Sequence, residues 1–509
     1  MHDYMKKFKF LLLILPLLSL ISSCKKGLDA TSYGQLSPVN FPKTESDYEL
    51  YTLEAYKPFG SKWGYADPSG SYQYLFHGVE WSNIQINDAT SDLFAAFPEW
   101  GGFWDLLSKA DFVFLKNQDR SAHFEKVRFV SRLTKMIDDL QKADINEAKK
   151  NQLVGEARMA RGWLMYYLLT IYGPVPVILD PAKVGTAEEY NLARPDRATF
   201  DSSITSDLRF AADNLEKEPA EYGRFNKGLA LAVLMRTYLF EREYQQAEQA
   251  GREIMTLGYG LVPNYADLFR EATEKNSETI WAVSVDPTGD GSETKPNFNP
   301  WGFYTFPSDY SKGTLTGATR AGGWAWPGAV LATWSFYDSF DSLDKRRALL
   351  LSSYPATWGG SYTRATMRGP IVNKYPDDDP QAYQGNDIPE VRYADVLLMM
   401  AEAINGQSGP TAEAEGFVNQ VRERANIGDL AATDISSKET FANAILRERG
   451  WELYFEGFRR VDLMRFGKWN DYLKAAGKNP NPAGANGYFP IPQYALDASK
   501  GALAQTAGY

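Results

Sequence analysis

The chain has 509 residues, 44% of them hydrophobic and 23% charged, with a formal net charge of −10. That composition suits a globular body with a large core and excludes a collagen-like or low-complexity chain. The acidic balance speaks against nucleic acid as a partner, and one cysteine leaves no pair for an internal disulfide.

Residues 1–23 read as a signal peptide. Lys6, Lys7 and Lys9 form a positive start, and Phe10 to Ile21 form an apolar core. That core is shorter than the roughly 20 residues a bilayer span needs. Ser22 and Ser23 lead to Cys24, which resembles a bacterial lipobox and implies cleavage before Cys24 with acylation of its thiol and amine. Several acyl chains on one residue hold a protein stably at a membrane, where one alone would not. The leader carries three lysines and one aspartate, so the remainder sits near −12. Residues 24–45 are expected to be a lipidated tether and 46–509 a single domain.

Thr44-Glu45-Ser46-Asp47 opens an apolar pattern to Tyr56, a helix start. Residues 57–98 are interrupted by Pro58, Gly60, Gly64, Pro68, Gly70 and Gly78 and read as loop; 99–119 read as helix. Phe124, Val127, Val130, Leu133, Ile137 and Leu140 then recur at helical steps. Further helices are expected over 151–172, stopped by Gly173-Pro174, and over 199–216. Block 226–257 splits at Glu241-Arg242-Glu243 into two helices. Their small alanines, with Tyr244 opening the second, resemble a tetratricopeptide pair. Over 284–385 helical periodicity gives way to an irregular insertion whose many aromatics argue against disorder. Helices return at 390–405, 412–426 and 440–456, and the tail from Phe489 reads as extended with a final turn. The expected fold is mainly α: a helical scaffold over 46–280 and 386–470 with a loop-rich elaboration.

Glu448, Glu452 and Glu456 recur at i, i+4 and i+8 on the predicted helix. Paired carboxylates about 5–9 Å apart could cleave a glycosidic bond. Arg447, Arg449, Arg459, Arg460 and Arg465 lie beside them, however, and would keep them ionised, the wrong state for a general acid. Structural ion pairs are the expectation there and at Arg392 and Glu402. His2 leaves with the leader, and His77 and His123 have no Cys or second His at zinc spacing. The chain lacks a G-x-S-x-G turn, a Walker loop and a dinucleotide fingerprint. No catalysis, cofactor or metal is expected.

Aromatic residues reach 14%, and many fall in loops. Rings placed there can stack on the apolar face of a sugar while Asn and Asp direct hydrogen bonds. Two regions qualify. The first holds Trp63, Tyr65, Tyr72, Tyr74, Trp81, Asn83, Asn87 and Asp88; the second holds Trp301, Tyr304, Tyr310, Trp324 and Trp326. Trp81 and Trp324 lead, because small or polar residues flank each. Peptides also stack on such rings and remain an alternative ligand class.

Several blocks, in order, resemble the SusD/RagB-like outer-membrane lipoproteins of Bacteroidetes-type bacteria. They are Glu156-Ala157-Arg158 through Arg161-Gly162-Trp163 to Tyr172-Gly173-Pro174-Val175-Pro176, Asn226-Lys227-Gly228 to Tyr238-Leu239, and Glu278-Thr279-Ile280-Trp281. Arg392 to Ala403, Asn419 to Ala425, Arg447 to Arg465 and Phe489-Pro490-Ile491-Pro492 continue the series. Gly162 stands where the family usually has alanine and Phe458 where it usually has histidine; both are expected to be packing changes. Lys25-Lys26 after Cys24 lacks the acidic run often associated with surface export. The resemblance implies four tetratricopeptide-like helix pairs and an outer-membrane position facing the cell exterior. It also implies an oligosaccharide ligand and a partner, a SusC-like TonB-dependent transporter. Its ligand contacts carry over by region only, to the two aromatic loop regions above.

Overall fold

The scaffold is a run of helices whose starts are set by polar caps. In this computed structural model the described residues are 41–62, 77–78, 83–96, 103–117, 123–190, 192–285, 299, 301–307, 309–311, 330–376, 385–478 and 486–509. Among them are α1 (Lys126–Gln141), α2 (Glu147–Tyr172), α3 (Arg197–Asn214) and α4 (Lys227–Phe240). The series continues with α5 (Tyr244–Met255), α6 (Tyr393–Ser408), α7 (Ala412–Arg424) and α8 (Lys438–Glu452). The side chains of Asn146, Asp196, Asn226 and Thr411 each accept a backbone N–H in the first turn. Ser437 and Thr440 form a reciprocal capping box. Because Asn146 takes the cap, α2 starts four residues before the expected Asn151.

Each helix packs on the next from α1 to α6, and α7 and α8 both pack on α6. Contact between α5 and α6 continues this stack although residues 256–392 intervene. There the Tyr244 ring lies on Gly406, where a Cβ would fall 2.4 Å from ring carbons. Gly162 works similarly: a Cβ there would lie 3.0 Å from Leu208 Cγ, so its absence lets α2 and α3 approach. The Arg236 guanidinium sits 4.5 Å from the Phe458 ring centroid, so that departure too is a packing arrangement.

Strands β1 (Thr279–Val283) and β2 (Ile388–Arg392) pair antiparallel, Ile388 opposite Val283 and Arg392 opposite Thr279. Val285 N–H donates to the Asp387 carboxylate at 2.8 Å, closing the neck of the insertion. Most buried apolar residues form one core shared by scaffold and insertion. A small separate core of Phe306, Tyr310, Leu331, Tyr354, Ala356 and Ile371 underlies part of the insertion.

Several boundaries differ from the sequence reading. Glu390 to Arg392 are strand, not helix, because β1 pairs with them and Tyr393 N–H donates to Glu278 O. The helix expected over 99–119 appears as the short helix Phe103–Ser108 and a 3₁₀ turn, Val113–Asn117, separated by Ala110 at φ 60°. The last scaffold helix ends at Glu452, so Glu456 lies beyond it, after Phe455 at φ 59°. The C-terminal segment returns to α2, Phe489 N–H donating to Ile171 O at 2.7 Å, and then forms the short helix Gln493–Ala498. No helix among the described residues is long and apolar enough to cross a membrane.

Candidate functional site

The Arg/Glu-rich block folds into two buried webs of balanced charge. Arg392 donates to Glu278 at 2.8 Å, to Glu452 at 2.9 Å and to both oxygens of Glu456 at 2.8 Å. Arg424 joins Glu278 and Glu452, Arg346 joins Asp344, Glu448 and Glu452, Arg422 joins Glu448, and Lys374 joins Glu456. Five cations thus face five carboxylates. Next to them Arg236, Arg449 and Arg465 pair with Asp395, Asp462 and Glu402.

Burial pushes the Glu452 carboxyl up, but Arg424, Arg392 and Arg346 outweigh it and hold the group below the usual carboxylate range. At Glu402 burial outweighs Arg465 and carries the carboxyl up to about 7. Burial likewise brings Lys374 down to about 8, against Glu456, its partner at 2.9 Å. Glu448, Glu452 and Glu456 are therefore committed to ion pairs, as the flanking arginines imply, and none faces an open cleft as a general acid would.

The described part of the first aromatic region is also structural. Asp88 is fully buried and accepts backbone N–H groups of Gly457 at 2.9 Å and Arg459 at 3.1 Å. Burial nonetheless lifts it to about 7. Asn83 is buried and accepts from Asn87, next to a turn of π-helix at Gln85–Ala89. Both are pieces of the join between this segment and the 457–459 turn. Trp301 is likewise interior: it is 1% exposed and packs edge-on against Phe455, centroids 5.2 Å apart. Tyr304 lies on the same short helix, Trp301–Thr305. Trp63, Tyr65, Tyr72, Tyr74, Trp81, Trp324 and Trp326 lie outside the described residues, as does Cys24. His123 meets the Lys126 ammonium at 3.0 Å, and no metal-binding cluster occurs among the described residues.

One open aromatic surface among the described residues lies outside both expected regions save for Tyr310. Tyr354–Pro355 and Ser361–Tyr362 pair as a hairpin whose turn contains Gly359 at φ +90°. Tyr354 and Tyr362 stack, 4.8 Å between centroids and 20° between planes, with Tyr310 5.9 Å from Tyr354. The Tyr354 hydroxyl donates to Asp309 at 3.1 Å, fixing the ring. Trp358 meets Tyr362 edge-on at 6.0 Å and is 64% exposed. Its ring lies back over Gly360, where a Cβ would fall 1.7 Å from ring carbon Cζ3, so no larger residue fits this arrangement. Nearby, Trp334 donates to Met367 O, and Arg364 covers its ring at 4.5 Å while pairing with Asp338. The legible signal was Trp358-Gly359-Gly360-Ser361-Tyr362, a glycine pair between aromatics at hairpin spacing.

The architecture is a stack of tetratricopeptide-like helix pairs with an irregular insertion that carries exposed rings. Known proteins give that architecture a name. Residues 350–509 match the model of the SusD family, and residues 117–239 match a model described as starch-binding associating with outer membrane. SusD-like protein P25 of Formosa agariphila is 29% identical over 356 residues, 64% of this chain and 65% of that protein. A SusD superfamily protein from Bacteroides vulgatus superposes with a TM-score of 0.72 at 21% identity, covering 92% of this chain and all of the other. Surface glycan-binding protein A from Bacteroides thetaiotaomicron, solved in complex with laminarihexaose, gives 0.72 at 19% identity, covering 91% and 99%. The chain belongs to the SusD/RagB family.

Proposed function

We propose that this chain is a cell-surface lipoprotein that captures a neutral oligosaccharide and delivers it to a SusC-like TonB-dependent transporter. The observation that carries the reading is the hairpin. It holds an exposed tryptophan edge-on to a stacked tyrosine pair, an apolar surface beside solvent. Such a surface suits the apolar face of a pyranose and loses little freedom when the sugar arrives. The laminarihexaose held by a solved relative supports the ligand class. The signal peptide and the cysteine at position 24 support a lipid anchor in the outer membrane, with 24–45 as tether and 46–509 as one domain. The carboxylates of the 447–465 block are held in ion pairs, so this is a binder without hydrolytic activity.

The test is affinity electrophoresis and calorimetry of the mature chain against a panel of polysaccharides and peptide mixtures. Retardation by a glycan that Trp358→Ala abolishes supports the reading. Heat with peptides and none with glycans moves the ligand class to peptides, and release of reducing sugar makes the chain a hydrolase. Co-purification of a TonB-dependent barrel with the membrane-extracted protein tests the partner.

A further inference from the structure

The helical scaffold has an opening of its own, which shares no residue with the hairpin. A cleft of about 500 Å³ lies among the 217–226 turn between α3 and α4, the 258–259 turn after α5, and β1. That volume is in the range of small-ligand sites. Tyr222 lines it with 49% of its surface exposed. Its hydroxyl donates to Asp387, and the Lys275 ammonium sits 4.4 Å from its ring centroid. An exposed ring held at its polar end and beside a cation is a preorganised stacking surface. Tyr259 supplies a second ring to the lining.

Two further features narrow the occupant. Thr279 lines the cleft, and its hydroxyl oxygen is shielded from solvent without a hydrogen-bond partner in the chain. A ligand hydroxyl would satisfy it once the side chain turns about its Cα–Cβ bond toward the cleft. The lining cations, in contrast, are already matched: Lys217 pairs with Glu218, and Arg224 with Glu221 and Glu156. Rings, a waiting hydroxyl and neutralised charge select an uncharged polyhydroxylated ring over an anion or a cation.

We infer that this cleft is a second carbohydrate site, in which a neutral saccharide unit stacks on Tyr222 and hydrogen-bonds Thr279. The ligand class rests on the glycan-binding reading above; the place does not.

Trp281 lines the cleft and Trp358 tops the hairpin, so each indole reports on one site. The experiment is fluorine NMR of the full exported chain labelled with 5-fluorotryptophan, titrated with laminarihexaose, maltohexaose and xylohexaose. Trp281→Phe and Trp358→Phe assign the two signals. The expected result is a saturable shift of Trp281 with at least one hexasaccharide. Tyr222→Ala should weaken that titration about tenfold, the loss of one stacked ring, and leave the Trp358 titration unchanged. A sugar that moves Trp358 and leaves Trp281 still overturns the cleft site and spares the hairpin. Movement of Trp281 alone supports the cleft and overturns the hairpin. Silence of both signals with all three sugars overturns both. A Trp281 shift unaltered in Tyr222→Ala and Thr279→Val also overturns the cleft site.

Discussion

The charge web and the aromatic hairpin use similar residues to opposite ends. In the web, Arg392 is buried and its guanidinium lies 5.7 Å from the Phe269 ring and 5.9 Å from Tyr265, so rings and charges lock three parts of the chain together. On the hairpin the inner rings lock each other, and the outermost, Trp358, is left in water. Chemical type does not separate a structural residue from a binding one; burial does. The arginine-rich block, expected to form ion pairs, forms them, while the open ring stands on a Gly-Gly turn.

That contrast can be broken, and the largest lever is Arg392. Replacing it with Met takes one cationic partner from each of Glu278, Glu452 and Glu456 and leaves the buried web one positive charge short, and the expected loss is about 3–5 kcal/mol in urea unfolding. A loss below about 1 kcal/mol would mean the web does not hold the fold. Acid gives a graded version. Glu452 titrates below its ordinary 4.5 when folded, so its stabilisation is complete above that pH and is lost as pH falls through the folded value. Glu402 has the opposite sign. Its folded carboxyl keeps a proton up to about 7 that the unfolded chain releases near 4.5, so stability falls as pH rises across that window. Melting temperatures should therefore flatten between pH 4.5 and 7 in Glu402→Gln, and on the acid side in Glu452→Gln. Smaller still is Asn226→Ala, which removes the cap of α4; about 1 kcal/mol is expected from the same unfolding assay. Smallest for stability is Trp358→Ala, within about 0.5 kcal/mol because the ring is exposed. The same change should cost about tenfold or more in glycan affinity, and equal retardation of both proteins in a polysaccharide gel would remove the hairpin from the site.

The helical scaffold was legible because its signals are local. The recurrence from Phe124 to Leu140 is α1, Gly173-Pro174 ends α2, and Glu241-Arg242-Glu243 separates α4 from α5. The errors came where a distant partner decides. Glu390 to Arg392 continue a helical pattern in sequence but are drawn out by β1, more than a hundred residues earlier. Glu456 leaves the helix yet still reaches Arg392, through a turn the 3.6-residue period does not report. Site residues were less legible for the same reason. Trp301, Asn83 and Asp88 have polar or loop-like neighbours in sequence, and only tertiary packing on Phe455, Asn87 and the 457–459 turn shows them to be interior.

The neck closed by Val285 and Asp387 has a consequence for diversification. The insertion leaves and returns at adjacent points on paired strands, so its two ends are already held at a fixed separation by the scaffold. A different insertion could be grafted between these points without moving the helix register on either side, provided it keeps basic groups in the positions of Arg346 and Lys374 and apolar groups in those of Trp301, Phe336, Phe340 and Tyr375, which fill the shared core. The chain is thereby arranged as a constant frame and an exchangeable cassette, in which recognition can change by segment replacement while the frame's packing stays as it is.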